Sequence, residues 1–117
     1  MVVRVKGGSM LEITTENFDK EVKHRQGPVI VDFWAPWCGP CKALGPVFEK
    51  MSSDYTGKLA FAKLNVDDNA ALAQQNDVMG IPCLIVYNRG VEVDRFVGAF
   101  PEPSLRKKID ATLAKVA

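Results

Sequence analysis

Cys38 and Cys41 are separated by Gly39 and Pro40, and they stand between an apolar run ending at Trp34 and a stretch of helical periodicity. Two cysteines at that spacing have four uses: half of a zinc site, a haem attachment, a redox dithiol, or an accident of composition. A structural zinc site takes four ligands. The chain adds only Cys83 and one histidine, His24, and no second ligand pair. Haem attachment needs histidine directly after the second cysteine, where this chain has Lys42. Placement between a strand and a helix speaks against accident, so a redox dithiol is the leading reading and no metal is expected.

The spacing also suggests a division of labour. A sulfur at the N-terminal end of a helix is favoured as a thiolate by free N–H groups and the helix dipole. The thiolate is the form that attacks disulfides. Cys38 holds that place and is the expected nucleophile. Cys41 follows within one turn, close enough to close a disulfide with Cys38 and more shielded, so it is the expected resolving thiol. Gly39 and Pro40 set the geometry of the ring that closes.

The surrounding elements must hold this pair in place. Leu11–Thr14 reads as a short strand, and Thr15 as the N-cap of a helix carrying Phe18 and Val22 on one face, stopped by Gly27-Pro28. Residues 29–34, VIVDFW, are apolar on both alternating faces except at Asp32, as a strand buried on both sides requires. After the cysteines, Leu44, Val47, Phe48 and Met51 recur at helical spacing, with Pro46 inside the pattern and expected to kink it. Leu59–Val66 reads as a second central strand, Asp67-Asp68-Asn69 as caps for a helix over Ala70–Gln75, and Asp77–Cys83 as an ordered loop. Leu84–Tyr87 and Val91–Val97 flank Asn88-Arg89-Gly90 as a hairpin. A last helix is expected from about Ser104, burying Leu105, Ile109, Leu113 and Val116. This order predicts an α/β protein: a mixed central β-sheet flanked by helices on both faces. Residues 1–10, with Gly7-Gly8-Ser9, read as a flexible leader or extension, and 11–117 as one domain.

VDFWAPWCGPCK, the helix proline Pro46, AKLNVD at 62–67, GIP at 80–82 and the glycines at 90 and 98 together closely resemble the thioredoxin family, over nearly the whole chain beyond the leader. The resemblance implies a thioredoxin fold and a role for several more residues. Asp32 matches a buried family aspartate beneath the dithiol, where a raised pKa would let it move the proton of Cys41. The plainer reading is an aspartate facing water at a strand end. Lys63 matches the lysine beside that aspartate and would tune it; otherwise it is a surface lysine. Ile81-Pro82 resembles the loop facing the active site, with a cis proline, whose backbone at Ile81 would pair with an extended substrate peptide. Trp37 would cover the active-site surface, and Gly80 and Gly98 would keep the docking surface flat. Cys83 departs from the pattern, since the family commonly has threonine after this proline. It is either a small packing residue or a third thiol near the pair, open to oxidation or soft-metal binding.

Composition sets the remaining bounds. The chain has 117 residues, 15 Lys+Arg against 14 Asp+Glu, and three cysteines. That balance lacks the basic excess of a nucleic-acid binder, and the odd, small cysteine count excludes a disulfide scaffold. No apolar run approaches the ~18 residues of a membrane span, so no membrane association is expected, and MVVRVKGGSM lacks the apolar core of a signal peptide. The expectation is a monomeric cytoplasmic protein-disulfide reductase. Without a nucleotide-binding motif such as GxGxxG and with no bound cofactor, it would draw electrons from a thioredoxin reductase and pass them to disulfide-containing target proteins. The alternatives are an oxidising or isomerising disulfide catalyst, and a non-catalytic binding module on the same fold.

Overall fold

The apolar run around Asp32 forms the central strand of the sheet, β2 (Pro28–Trp34), with every residue from Val29 to Phe33 buried. In this computed structural model, which describes residues 10–116, the other strands are β1 (Met10–Glu12), β3 (Ala60–Asn65), β4 (Cys83–Asn88) and β5 (Val91–Val97). The helices are α1 (Gly39–Ser52), α2 (Ala70–Gln75) and α3 (Glu102–Val116), with a π-helical turn at Asp19–Lys23 and a 3-10 turn at Ser53–Tyr55. The sheet order is β1-β3-β2-β4-β5. β1 and β2 both run parallel to β3, while β4 is antiparallel to β2 and β5 to β4. The predicted mixed sheet is therefore the one observed.

Strand alternation divides the core. Ile30, Phe61, Leu84 and Val86 pack on one face against Leu44, Phe48 and Met51 of α1 and Leu105 and Ile109 of α3. Val29, Val31, Phe33, Leu64, Cys83, Ile85 and Tyr87 pack on the other, against Phe18 and Val22 near the π-helical turn and Leu72 and Ala73 of α2. Helices thus cover both faces. α1 runs unbroken through Pro46, whose ring lies on the exposed side.

Three local readings shift. Met10, set apart with the leader by its sequence, is buried and pairs with Phe61 as the first residue of β1; residues 1–9 lie outside the described residues. Thr15 does not cap the first helical segment. No side chain caps it; Thr14 and Asn17 close the turn before it, the Thr14 N–H donating to Asn17 Oδ1 (2.8 Å) and the Asn17 N–H to Thr14 Oγ1 (3.3 Å). The N–H of Thr15 instead donates to Asn69 Oδ1 across the fold, at 2.8 Å. In α3 the third buried position is Thr112 rather than Leu113, because its hydroxyl has Asp94 Oδ2 at 2.7 Å to bond.

Candidate active site

The sheet and α1 meet at the cysteine pair. Cys38 is the N-cap of α1, in extended conformation, and Pro40 stands in the first turn, where a missing N–H costs nothing. A disulfide joins Cys38 and Cys41, so this is the oxidised form. The Cys41 N–H donates to Cys38 Sγ at 3.2 Å, and the Lys42 N–H to the Cys38 carbonyl at 3.2 Å. The nucleophile candidate thus occupies the end of a helix dipole and receives a direct N–H contact, both of which favour a negative sulfur. Both cysteines are buried, among Ala35, Trp34, Val66 and Ile81.

Ile81-Pro82 is a cis peptide bond. The Ile81 carbonyl oxygen lies 3.9 Å from Cys38 Sγ, so the loop meets the pair at the sulfur of the candidate nucleophile. The loop's far end is tied to β5 by the Gly98 N–H, which donates to the Pro82 carbonyl at 2.9 Å. Gly98 has φ +123°, a conformation that side chains rarely adopt, and a Cβ there would meet only the Phe100 ring. At Gly80 a Cβ would make ordinary contact with Val97 at 3.5 Å. Around these residues the surface is apolar: Trp37, Met79 and Val97 are all exposed.

Asp32 is 3% exposed, and its Oδ1 has no hydrogen-bond partner. Because Val31 and Phe33 point into the α2-side core, Asp32 shares the α1-facing side of β2 with Ile30, and Cys41 is buried on the helix that covers that face. Burial pushes the Asp32 carboxyl up to about 7, with the Lys63 ammonium pulling it down. Lys63 is the register partner of Asp32 on β3, and its amine sits 5.0 Å from the Trp34 ring centroid. The water-facing alternative for Asp32 does not hold.

The sequence reading missed Asp67. It offered this residue as a helix cap, but its Oδ1 accepts from Trp37 Nε1–H at 3.1 Å, holding the exposed indole beside the pair. No local pattern carries that contact, which spans 30 residues. Cys83 is the converse case. Of its two readings, a small packing residue or a third thiol beside the pair, the packing one holds: Cys83 is buried in the α2-side core, on the sheet face opposite Asp32. Burial pushes its thiol up, away from thiolate character, with the Arg95 guanidinium opposing. Among the described residues no group of three or more Cys, His, Asp or Glu side chains is placed to hold a metal ion.

The assembled site pairs a helix-capped sulfur with a second thiol that closes a disulfide on it, above a buried carboxyl that titrates near neutrality. Such a set can accept or donate two electrons by thiol–disulfide exchange. By sequence the chain is similar to known proteins over most of its length. The family model described as Thioredoxin matches residues 9–111. A thioredoxin of Chlorobaculum thiosulfatiphilum is 47% identical over 103 residues, covering 88% of this chain and 95% of that protein. Thioredoxin 2 of Chlorobaculum tepidum is 45% identical over 88% of this chain and 94% of its own. A thioredoxin of Staphylococcus haemolyticus is 43% identical over 90% of this chain and 99% of its own.

Proposed function

The chain belongs to the thioredoxin family and is a thiol–disulfide oxidoreductase of the protein-disulfide reductase type, and from that premise we propose the following roles for its residues. Cys38, as thiolate, attacks one sulfur of a target disulfide. The target S–S bond breaks, a Cys38–target bond forms, and one target thiolate leaves. Cys41 then attacks Cys38 Sγ, forming the intramolecular disulfide and releasing the second target thiolate. Two electrons pass to the target, and the oxidised pair is the state seen here. Asp32 takes the Cys41 proton as that thiol attacks, a task suited to a carboxyl poised near 7. Lys63 keeps that value from rising further. Gly39 and Pro40 shape the closing ring.

Substrate docks on Trp37, Gly80, Ile81, Pro82 and Gly98, with an extended target segment pairing to the Ile81 backbone. The observation that carries this reading is the Ile81 carbonyl beside Cys38 Sγ at 3.9 Å, which puts a backbone acceptor next to the reacting sulfur. The targets are disulfide-containing proteins, and a reductase in trans restores the dithiol. We place the protein in the cytoplasm as a monomeric electron carrier of residues 11–117 with Met10 added to its first strand. No described helix is long and apolar enough to cross a membrane.

Reduction of insulin with a dithiol donor tests the assignment. Cys38→Ser is expected to abolish turnover. Cys41→Ser is expected to stop at a mixed disulfide, visible as a covalent adduct by mass spectrometry. An adduct on residue 41 in Cys38→Ser, with none on residue 38 in Cys41→Ser, would reverse the assignment.

A further inference from the structure

Glu92 and Arg95 are three apart on β5, a spacing that places side chains on opposite faces of a regular strand. Here the register shifts: Val86 pairs with Asp94 but Tyr87 with Glu92, so β5 carries one extra residue at this point. The bulge brings Glu92 and Arg95 to the same face, alongside Tyr87 and Ile85. The two side chains bond twice, Arg95 Nε to Glu92 Oε2 and Arg95 Nη2 to Glu92 Oε1, both at 2.8 Å. Aimed in this way, the guanidinium reaches beyond its own strand. Its Nη2 donates to the Asn76 carbonyl at 2.7 Å and its Nη1 to the Asp77 carbonyl at 2.9 Å.

Those carbonyls mark the end of α2, where a cation is favoured by the helix dipole, and the start of the segment that runs to Ile81. Asp77 has φ +57°, an uncommon conformation for a residue with a side chain. Such a conformation persists only where neighbours hold it. Asn76 is gripped a second time, its Oδ1 accepting from the Tyr87 hydroxyl at 2.7 Å. The far end of the segment is held by β5 as well, through Gly98 and Pro82. One edge strand therefore anchors both ends of the loop that faces Cys38.

We propose that Arg95 is a positioning residue for substrate docking: through Asn76 and Asp77 it fixes the start of the 76–82 loop and so the place of the Ile81 backbone. This rests on the reading that the loop receives the target peptide. Without Arg95 the loop samples other conformations, and apparent affinity falls in proportion to the competent fraction. The electron transfer itself is untouched, because no contact of Arg95 reaches Cys38 or Cys41.

The test is a comparison of Arg95→Gln, Arg95→Lys, Glu92→Gln and Gly80→Glu with the parent protein. Three measurements are made on each: kcat and KM for insulin, the rate at which iodoacetamide alkylates reduced Cys38, and amide hydrogen exchange over residues 76–82. For Arg95→Gln the expectation is a rise in KM of roughly tenfold, if about one loop in ten stays competent. Its kcat and alkylation rate stay within about twofold, and its loop amides exchange faster. Arg95→Lys and Glu92→Gln fall between Arg95→Gln and the parent. A KM unchanged in Arg95→Gln while Gly80→Glu raises it would overturn the role of Arg95 and leave the docking loop standing. If neither variant moves KM, the loop reading fails and takes the proposal with it. Equal losses in insulin turnover and alkylation would mark Arg95 as merely structural and also overturn the proposal.

Discussion

At the scale of single residues, the balance between stability and chemistry is sharpest at Asp32. A carboxyl 3% exposed, with one oxygen unbonded, is held neutral far above its ordinary range because burial penalises its charge more than Lys63 favours it. Its value moves from 3.8 in the unfolded chain to about 7 in the folded one. Between those values the folded state keeps a proton that the unfolded state has lost, so stability falls as pH rises from 3.8 and levels off above about 7. At about 1.4 kcal/mol per unit, the cost once Asp32 is charged is roughly 4 kcal/mol. Asp32→Asn removes that ionisation. Its stability gain over the parent is expected to be close to zero at about pH 4 and to grow to a few kcal/mol by about pH 8. Urea midpoints of both proteins at the two pH values measure this. A gain that does not change with pH would mean that Asp32 is not the buried acid described here. The same variant is expected to slow release of the mixed disulfide formed at Cys38, and to remove the step near pH 7 from that rate.

At the scale of elements, the hairpin between β4 and β5 shows how much one turn constrains. Arg89 and Gly90 both have positive φ, +54° and +83°, the geometry of a two-residue turn that follows the twist of its strands. A Cβ on Gly90 would lie 2.6 Å from the Lys23 carbonyl oxygen, which joins this turn to the end of the π-helical turn. Gly90→Ala therefore combines backbone strain with a clash. It is expected to cost about 2 kcal/mol or more in urea unfolding, with alkylation of Cys38 unchanged. No loss of stability would mean that the turn relaxes freely. Elements like this one were legible from their residues, because the signal is local: β5 and α2 fall where periodicity and turn residues placed them, and the Cys38–Pro40 cap is visible in the motif. What stayed hidden is tertiary. Thr15 is a good capping residue on its own, but Asn69, 54 positions away, offers its N–H a partner. Asp67 has the composition of a cap and serves Trp37 instead. Adjacency to Pro82 leaves open which face Cys83 takes; strand alternation and pairing with Phe33 send it into the α2-side core, away from Asp32. The bulge that aims Arg95 has no glycine or proline to announce it; only the paired register shows it.

For the molecule as a whole, the site is gathered at one end of the sheet. The continuous stretch from the end of β2 to the start of α1, the residues after β3 and the loop before β4 converge on the cysteines, three separate parts of the chain. The force that holds them is the burial on both sheet faces, in two clusters that do not include Cys38 or Cys41. α3 makes this separation testable. Leu105 and Ile109 are fully buried against the same face as α1, yet α3 contributes no residue to the site. Ile109→Ala deletes buried methyl and methylene groups and leaves a cavity, at a cost of about 2–5 kcal/mol. A domain of this size has about 5–15 kcal/mol to lose, so at the middle of both ranges the native state still dominates at 25 °C. The variant is therefore expected to melt at a lower temperature while insulin reduction and Cys38 alkylation at 25 °C stay within about twofold of the parent, since a site held by its own end of the sheet keeps its geometry as long as the fold persists. Calorimetry and the two rate measurements on one sample decide it. A drop in alkylation rate that matches the loss of stability would show that the cysteine pair takes its reactivity from the packing of α3. The helix N-terminus and the loop facing it would then be insufficient to set the chemistry.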